Sequence, residues 1–196
     1  MEEKEIILSD KKFFYRKIGE GPVVVLLHGF GEDGAIWNNQ YEALPGFQLV
    51  IPDLPGSGGS EMIDDVSMEG LAEWLKEIHP HLTSTNGERT KKLSSSVQDS
   101  NNLSLSSKSK VSEQLIPPPG EPKGAFTLIG HSMGGYITLA FAEKYPTLLN
   151  GFGLFHSTAY ADSEEKKENR RKGIEFIKKH GGYEFLKTVI PNLYGP

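Results

Sequence analysis

The sequence predicts an α/β fold: a mostly parallel sheet with helices on both faces, entered through a β-hairpin and followed by further helices. Two observations carry this. The runs "PVVVLLHGF", "FQLVIPD" and "AFTLIGHS" are continuously apolar rather than alternating, as in strands covered on both faces. Segments with helical spacing lie between them, and such alternation implies parallel strands joined by right-handed crossovers.

Taken in order, "KEIIL" and "KKFFYRKI" flank "SDK" and predict a β-hairpin closed by polar turn residues. "AIWNNQYEAL" after the first apolar strand predicts a helix. "SMEGLAEWLKEI" predicts another, with Leu71, Trp74, Leu75 and Ile78 at helical spacing behind a cap at Ser67. "YITLAFAEKY" is apolar around most of its circumference, which predicts a helix packed on the sheet, and "FGLF" the next strand. From Ser163, "SEEKKENRRKGIEFIKKH" opens on acidic residues, ends on lysines and meets Gly181 and Gly182, matching a helix dipole and a glycine stop. "YEFLKTVI" ends in the same way at Pro191. The basic run from Lys166 to Lys172 reads as a solvated helix face.

Residues 83–122 differ in kind. They are rich in serine, threonine, asparagine and lysine, lack aromatic residues and carry a run of three prolines near their end. Such a composition cannot bury enough apolar surface to offset its chain entropy, and a disordered, low-complexity insertion is expected. Closing a long loop costs only about 0.6 kcal/mol per doubling of its length, so a fold can carry it.

Composition narrows the function. With 196 residues and 37% apolar content, the chain can bury one core, and nothing forces oligomerisation. Its net charge of −5 gives no basic excess for nucleic-acid phosphates or an anionic membrane surface. The absence of cysteine removes thiolate chemistry and disulfides. The start, "MEEKEIILSD", is unlike a signal peptide, and no apolar run approaches the ~20 residues of a membrane span. A soluble, cytoplasmic protein without nucleic-acid or membrane partners is expected.

Gly130-His131-Ser132-Met133-Gly134 fits the G-x-S-x-G pattern, with a strand before it and a helix after it. A sharp turn there would lift a serine hydroxyl clear of the sheet and aim a helix N-terminus at it, making Ser132 a candidate nucleophile. The competing reading is a serine that caps a helix. Acyl transfer also needs donors for a developing oxyanion, and the glycine-rich "LLHGFGEDG" can present amides at the same rim. The backbone N–H groups of Phe30 and Met133 are the candidates, with Gly29, His131 and His156 lining the pocket. His28, inside the turn, reads as structural. No metal cluster, phosphate loop or dinucleotide fingerprint is present, and no cofactor is expected; "GSGGS" lacks the lysine and helix of a phosphate loop.

"HGF" after one strand, "DLPGSGGS" after the next and "GHSMGG" at the turn together resemble the α/β-hydrolase superfamily, in particular its small esterase-like serine hydrolases. The resemblance covers nearly the whole chain apart from residues 83–122. It implies a core over residues 1–82 and 123–160, and the opening helices of a cap over 161–196. It also makes Asp53 and the glycines after it a structural loop and implies a small ester or related acyl substrate. A serine at 132 is unlike the aspartate of haloalkane dehalogenases and most epoxide hydrolases of this fold.

Triad order in this fold is serine, acid, histidine. Only His156 and His180 follow Ser132. His180 falls in the last turn of a charged helix, where it complements the dipole. His156 ends the strand after the elbow; besides lining the pocket, it is the in-chain candidate for the base, with Asp162 to orient it. The family pattern places the histidine beyond the cap, so the expectation is a fragment whose acid and base lie past Pro196, nearly inactive as it stands. In the worked serine-protease case, loss of the triad histidine costs about a millionfold in turnover. The other class is a ligand-binding or interaction protein that keeps the fold without catalysis.

Overall fold

The protein is described by a computed structural model over residues 1–83 and 124–193. The expected insertion therefore lies outside the described residues, except for Thr83. Six strands are present: β1 (Glu2–Leu8), β2 (Lys11–Ile18), β3 (Val23–Leu27), β4 (Gln48–Pro52), β5 (Phe126–His131) and β6 (Leu149–Phe155). They form one sheet in the order β1-β2-β4-β3-β5-β6. β1 and β2 form the expected hairpin, whose turn residues Ser9 and Asp10 both have positive φ (51° and 61°). Two left-handed residues match the natural twist of a two-residue hairpin. The hairpin is part of the sheet, because β2 pairs antiparallel with β4, while β4, β3, β5 and β6 run parallel.

Strand alternation divides the core between two faces. Val23, Val25 and Leu27 of β3, Val50 of β4, and Phe126 and Leu128 of β5 point to one face. α1 (Met68–Thr83) and α2 (Met133–Lys144) cover it. Val24, Leu26, Leu49 and Ile51 point to the other face, against Trp37. Here the structure corrects the sequence reading: "AIWNNQYEAL" forms two short 3₁₀ turns, Gly34–Trp37 and Tyr41–Ala43, and no α-helix. Asp33 accepts the Ala35 N–H at 2.7 Å and opens the first turn, while Asn38 and Asn39 follow it at once. Asparagine competes for backbone hydrogen bonds, so so short a segment stops after one turn.

α1 starts as expected, with Ser67 Oγ accepting the Gly70 N–H at 3.0 Å. It runs further, through Pro80 to Thr83. A proline removes one i→i−4 donor, here the one due to the Lys76 carbonyl. His79 Nδ1 bonds that carbonyl instead, and Thr83 Oγ1 donates to the His79 carbonyl at 2.9 Å. His79 is thus half-buried, its ring 6.1 Å from that of Phe126.

α3 (Glu164–His180) starts at Ser163, whose hydroxyl accepts the Lys166 N–H, and ends at Gly181. α4 (Gly182–Val189) folds back so that Phe185 packs near Phe176 of α3. It also reaches the "HGFG" turn: Leu186 lies where a Cβ on Gly31 would be, and the Phe185 and Phe30 rings are 6.4 Å apart. β6 pairs only with β5 among the described residues and leaves Phe152 and Phe155 exposed. No described helix is long and apolar enough to cross a membrane.

Candidate active site

β5 ends at His131 and α2 begins at Met133, so Ser132 alone makes the turn between them, with φ 51° and ψ −114°. A non-glycine residue in such a region costs of order 1–3 kcal/mol and persists only where its surroundings hold it. The end of β6 and the segment just after it hold it at both ends. The Ser132 N–H donates to the Phe155 carbonyl at 3.0 Å, and the Ser132 carbonyl accepts from Ser157 Oγ at 2.8 Å. The glycines leave room for nothing else. A Cβ on Gly130 would lie 2.1 Å from the Gly134 carbonyl oxygen, and one on Gly134 would lie 2.7 Å from the His28 carbonyl oxygen. The Ser132 hydroxyl has no hydrogen-bond partner among the described residues.

The "HGF" turn faces this elbow closely. A Cβ on Gly29 would stand 3.1 Å from Ser132 Cβ. His28 is fully buried and anchors the turn: Nε2 accepts the Leu54 N–H at 2.9 Å and Nδ1 donates to the Gly29 carbonyl at 2.8 Å. Burial, the largest influence, lowers its pKa and keeps the ring neutral, which suits a ring that must accept at one nitrogen. The Phe30 N–H has no hydrogen-bond partner among the described residues. Met133, as the first residue of α2, also has an amide without an intrahelical acceptor.

His131 does not turn toward solvent. Its Nδ1 lies 2.9 Å from Glu32 Oε2, and Glu32 Oε2 also accepts the Gly29 N–H at 2.6 Å. The His131 ring further meets Trp37 at 6.4 Å and Phe155 at 5.9 Å. His156 is exposed, with φ 46°; its ring is 4.5 Å from that of Phe155 and 6.1 Å from that of His131. Asp162 is not paired with His156. Its carboxylate bonds Arg170 Nε of α3, which is the main reason its pKa is lowered. His180 packs on Phe176 within α3. Asp53 is buried and accepts from Arg16, Gly34 and Gly59, a structural set of partners.

The structure thus brings Gly29, Phe30, His131, Ser132 and Met133 to one rim and leaves Asp162 apart. Glu32 and Ser157 were not foreseen. The reach of Glu32 back to Gly29 is a local i to i+3 pattern that "HGFGE" contains, but its meeting with His131 spans 99 residues. No group of three or more potential metal-binding side chains occurs among the described residues.

A strand, a one-residue serine turn and a helix on a mostly parallel sheet define the class, and comparison with known proteins agrees on the fold. The profile of the Alpha/beta hydrolase family matches residues 24–191, and the chain belongs to that family. It is 46% identical over 63 residues to the pimeloyl-(acyl-carrier protein) methyl ester esterase of Vibrio vulnificus strain YJ016, covering 32% of this chain and 25% of that one. Among solved structures it resembles a thermophilic esterase from Thermogutta terrifontis (29% identity, TM-score 0.66, 97% of this chain and 58% of that one). It also shares the fold of MGS-M2, an alpha/beta hydrolase from a Medee basin deep-sea metagenome library (20% identity, TM-score 0.67, 98% of this chain and 58% of that one). The chain spans about a quarter of the length of the curated relative and 58% of the esterase.

Proposed function

We propose that the protein is a serine hydrolase of small esters or related acyl compounds, with Ser132 as nucleophile. The observation that carries this is the strained Ser132 backbone between β5 and α2, held by Phe155 and Ser157 and facing the Gly29 turn. Ser132 Oγ attacks the acyl carbon, and the Phe30 and Met133 amides hold the oxyanion that forms. Gly29, His131 and His156 line the pocket, and α3 and α4 are the start of a cap above it. The esterase relatives support an ester as substrate.

A nucleophilic Ser132 also needs a general base and an acid to orient it. Triad order puts both after the serine. A fluorophosphonate should label Ser132 in the full protein, and Ser132→Ala should abolish labelling. A folded wild-type protein that resists the reagent overturns the proposal. The free Ser132 hydroxyl favours one second reading, a ligand-binding protein that keeps the fold; it expects saturable ester binding with no labelling.

A further inference from the structure

The two loops that carry the proposed oxyanion donors are far apart in sequence and must agree in position. Donors have to lie within 2.7–3.1 Å of one point to stabilise an oxyanion. The β3–β5 ladder aligns the loops as far as Leu27 opposite Gly130 and then ends. Phe30 and Met133 both lie beyond that last pair. The next polar link is Glu32. Its Oε2 accepts the N–H of Gly29, the residue before Phe30, and stands 2.9 Å from Nδ1 of His131, the residue before Ser132. A carboxylate offers only lone pairs, so His131 Nδ1 is the donor in that contact.

We infer that Glu32 is a positioning residue of this site: its carboxylate bridges the Gly29 turn to the elbow and sets the spacing between the Phe30 and Met133 amides. The inference rests on Ser132 being the nucleophile. It is more than local packing for two reasons. Both bonds run to one oxygen, so a single atom fixes both loops at once. Both partners are also shielded, with the Glu32 and His131 side chains 25% and 17% exposed, where water competes little for the shared acceptor. Bonding to Glu32 also uses the Gly29 N–H, and the next amide along the turn, Phe30 N–H, has no partner among the described residues.

The geometry makes a distinctive demand on substitutions. Because one oxygen serves both donors, Glu32→Gln keeps the acceptor and the reach, whereas Glu32→Ala loses the bridge. Removing one oxyanion donor outright costs a hundredfold or more, so misplacing it should slow fluorophosphonate labelling of Ser132 by about tenfold or more in Glu32→Ala, with Glu32→Gln within about threefold of wild type. Asp33→Ala removes a cap in the same loop without touching the site, and serves as the control for general loosening. Amide hydrogen exchange on the same proteins reads the bridge directly: Gly29 should lose protection in Glu32→Ala and keep it in Glu32→Gln.

Equal Gly29 protection in wild type and Glu32→Ala overturns the inference, as does unchanged labelling in Glu32→Ala. A Glu32→Gln protein as slow as Glu32→Ala overturns it too, since charge and not a shared acceptor would then be at work. A wild-type protein that cannot be labelled overturns the nucleophile instead, and the exchange measurement still decides the bridge.

Discussion

Ser132 keeps its φ of 51° because the atoms around it allow little else. Gly134 is part of that enclosure, with the carbonyl oxygens of His28 and Leu27 2.7 and 2.8 Å from where its Cβ would be. Both are backbone atoms that cannot swing away. Gly134→Ala should therefore destabilise the protein by about 1–3 kcal/mol in urea titration, as overpacking does elsewhere, and should slow labelling of Ser132. His28 gives a second prediction, from its lowered pKa. Between that lowered value and the ordinary one near 6.5, the unfolded chain binds the extra proton, so stability rises with pH. Its contribution is complete above about pH 6.5 and is lost as pH falls through the folded value. Thermal unfolding measured between pH 7 and 5 should show this loss, and it should be shallower in His28→Asn. The motif made Ser132 and its glycines legible in the sequence. Glu32 was not, because its role depends on a histidine 99 positions away that only the folded sheet brings near.

Elements were legible where burial is two-sided. β3 and β4 are buried at every position, and their apolar runs announce it. The 3₁₀ turns were missed because "AIWNNQYEAL" has helical spacing over too few residues; Trp37 is buried by the sheet behind it, not by a helix of its own. α1 outran its expected end because His79 takes over the carbonyl that Pro80 leaves unpaired, a compensation no periodicity encodes. Its start was read correctly from Ser67. That cap should be worth about 1 kcal/mol, and Ser67→Ala should lower the unfolding free energy by that amount while Ser132 labelling per folded molecule stays the same. An undiminished midpoint in denaturant would mean that the Gly70 N–H finds another acceptor.

At the scale of the molecule, the sheet has two kinds of neighbourhood. The β5 and β6 side carries the Ser132 turn, and the β2 and β4 side carries the hairpin, joined to the rest by the β2–β4 ladder and by Asp53. This buried carboxylate accepts from Arg16 of β2 at 3.0 Å, from the Gly34 amide at 3.0 Å and from the Gly59 amide at 3.1 Å. Its own carbonyl accepts the Ser60 hydroxyl at 2.7 Å. One side chain thus ties the hairpin, the first 3₁₀ turn and the loop after β4. Removing it takes the acceptor from two amides and from Arg16, which keeps the Glu3 carboxylate 3.6 Å from its Nε. Breaking a buried pair costs about 3–5 kcal/mol, and because Arg16 keeps some access to water the lower end applies, about 3 kcal/mol for Asp53→Ala. The loss should fall on stability alone. Fluorophosphonate labelling per folded Asp53→Ala molecule should match wild type, while the same assay falls in Gly134→Ala. A selective fall in labelling with stability intact would instead make Asp53 part of the reaction machinery, against its set of partners.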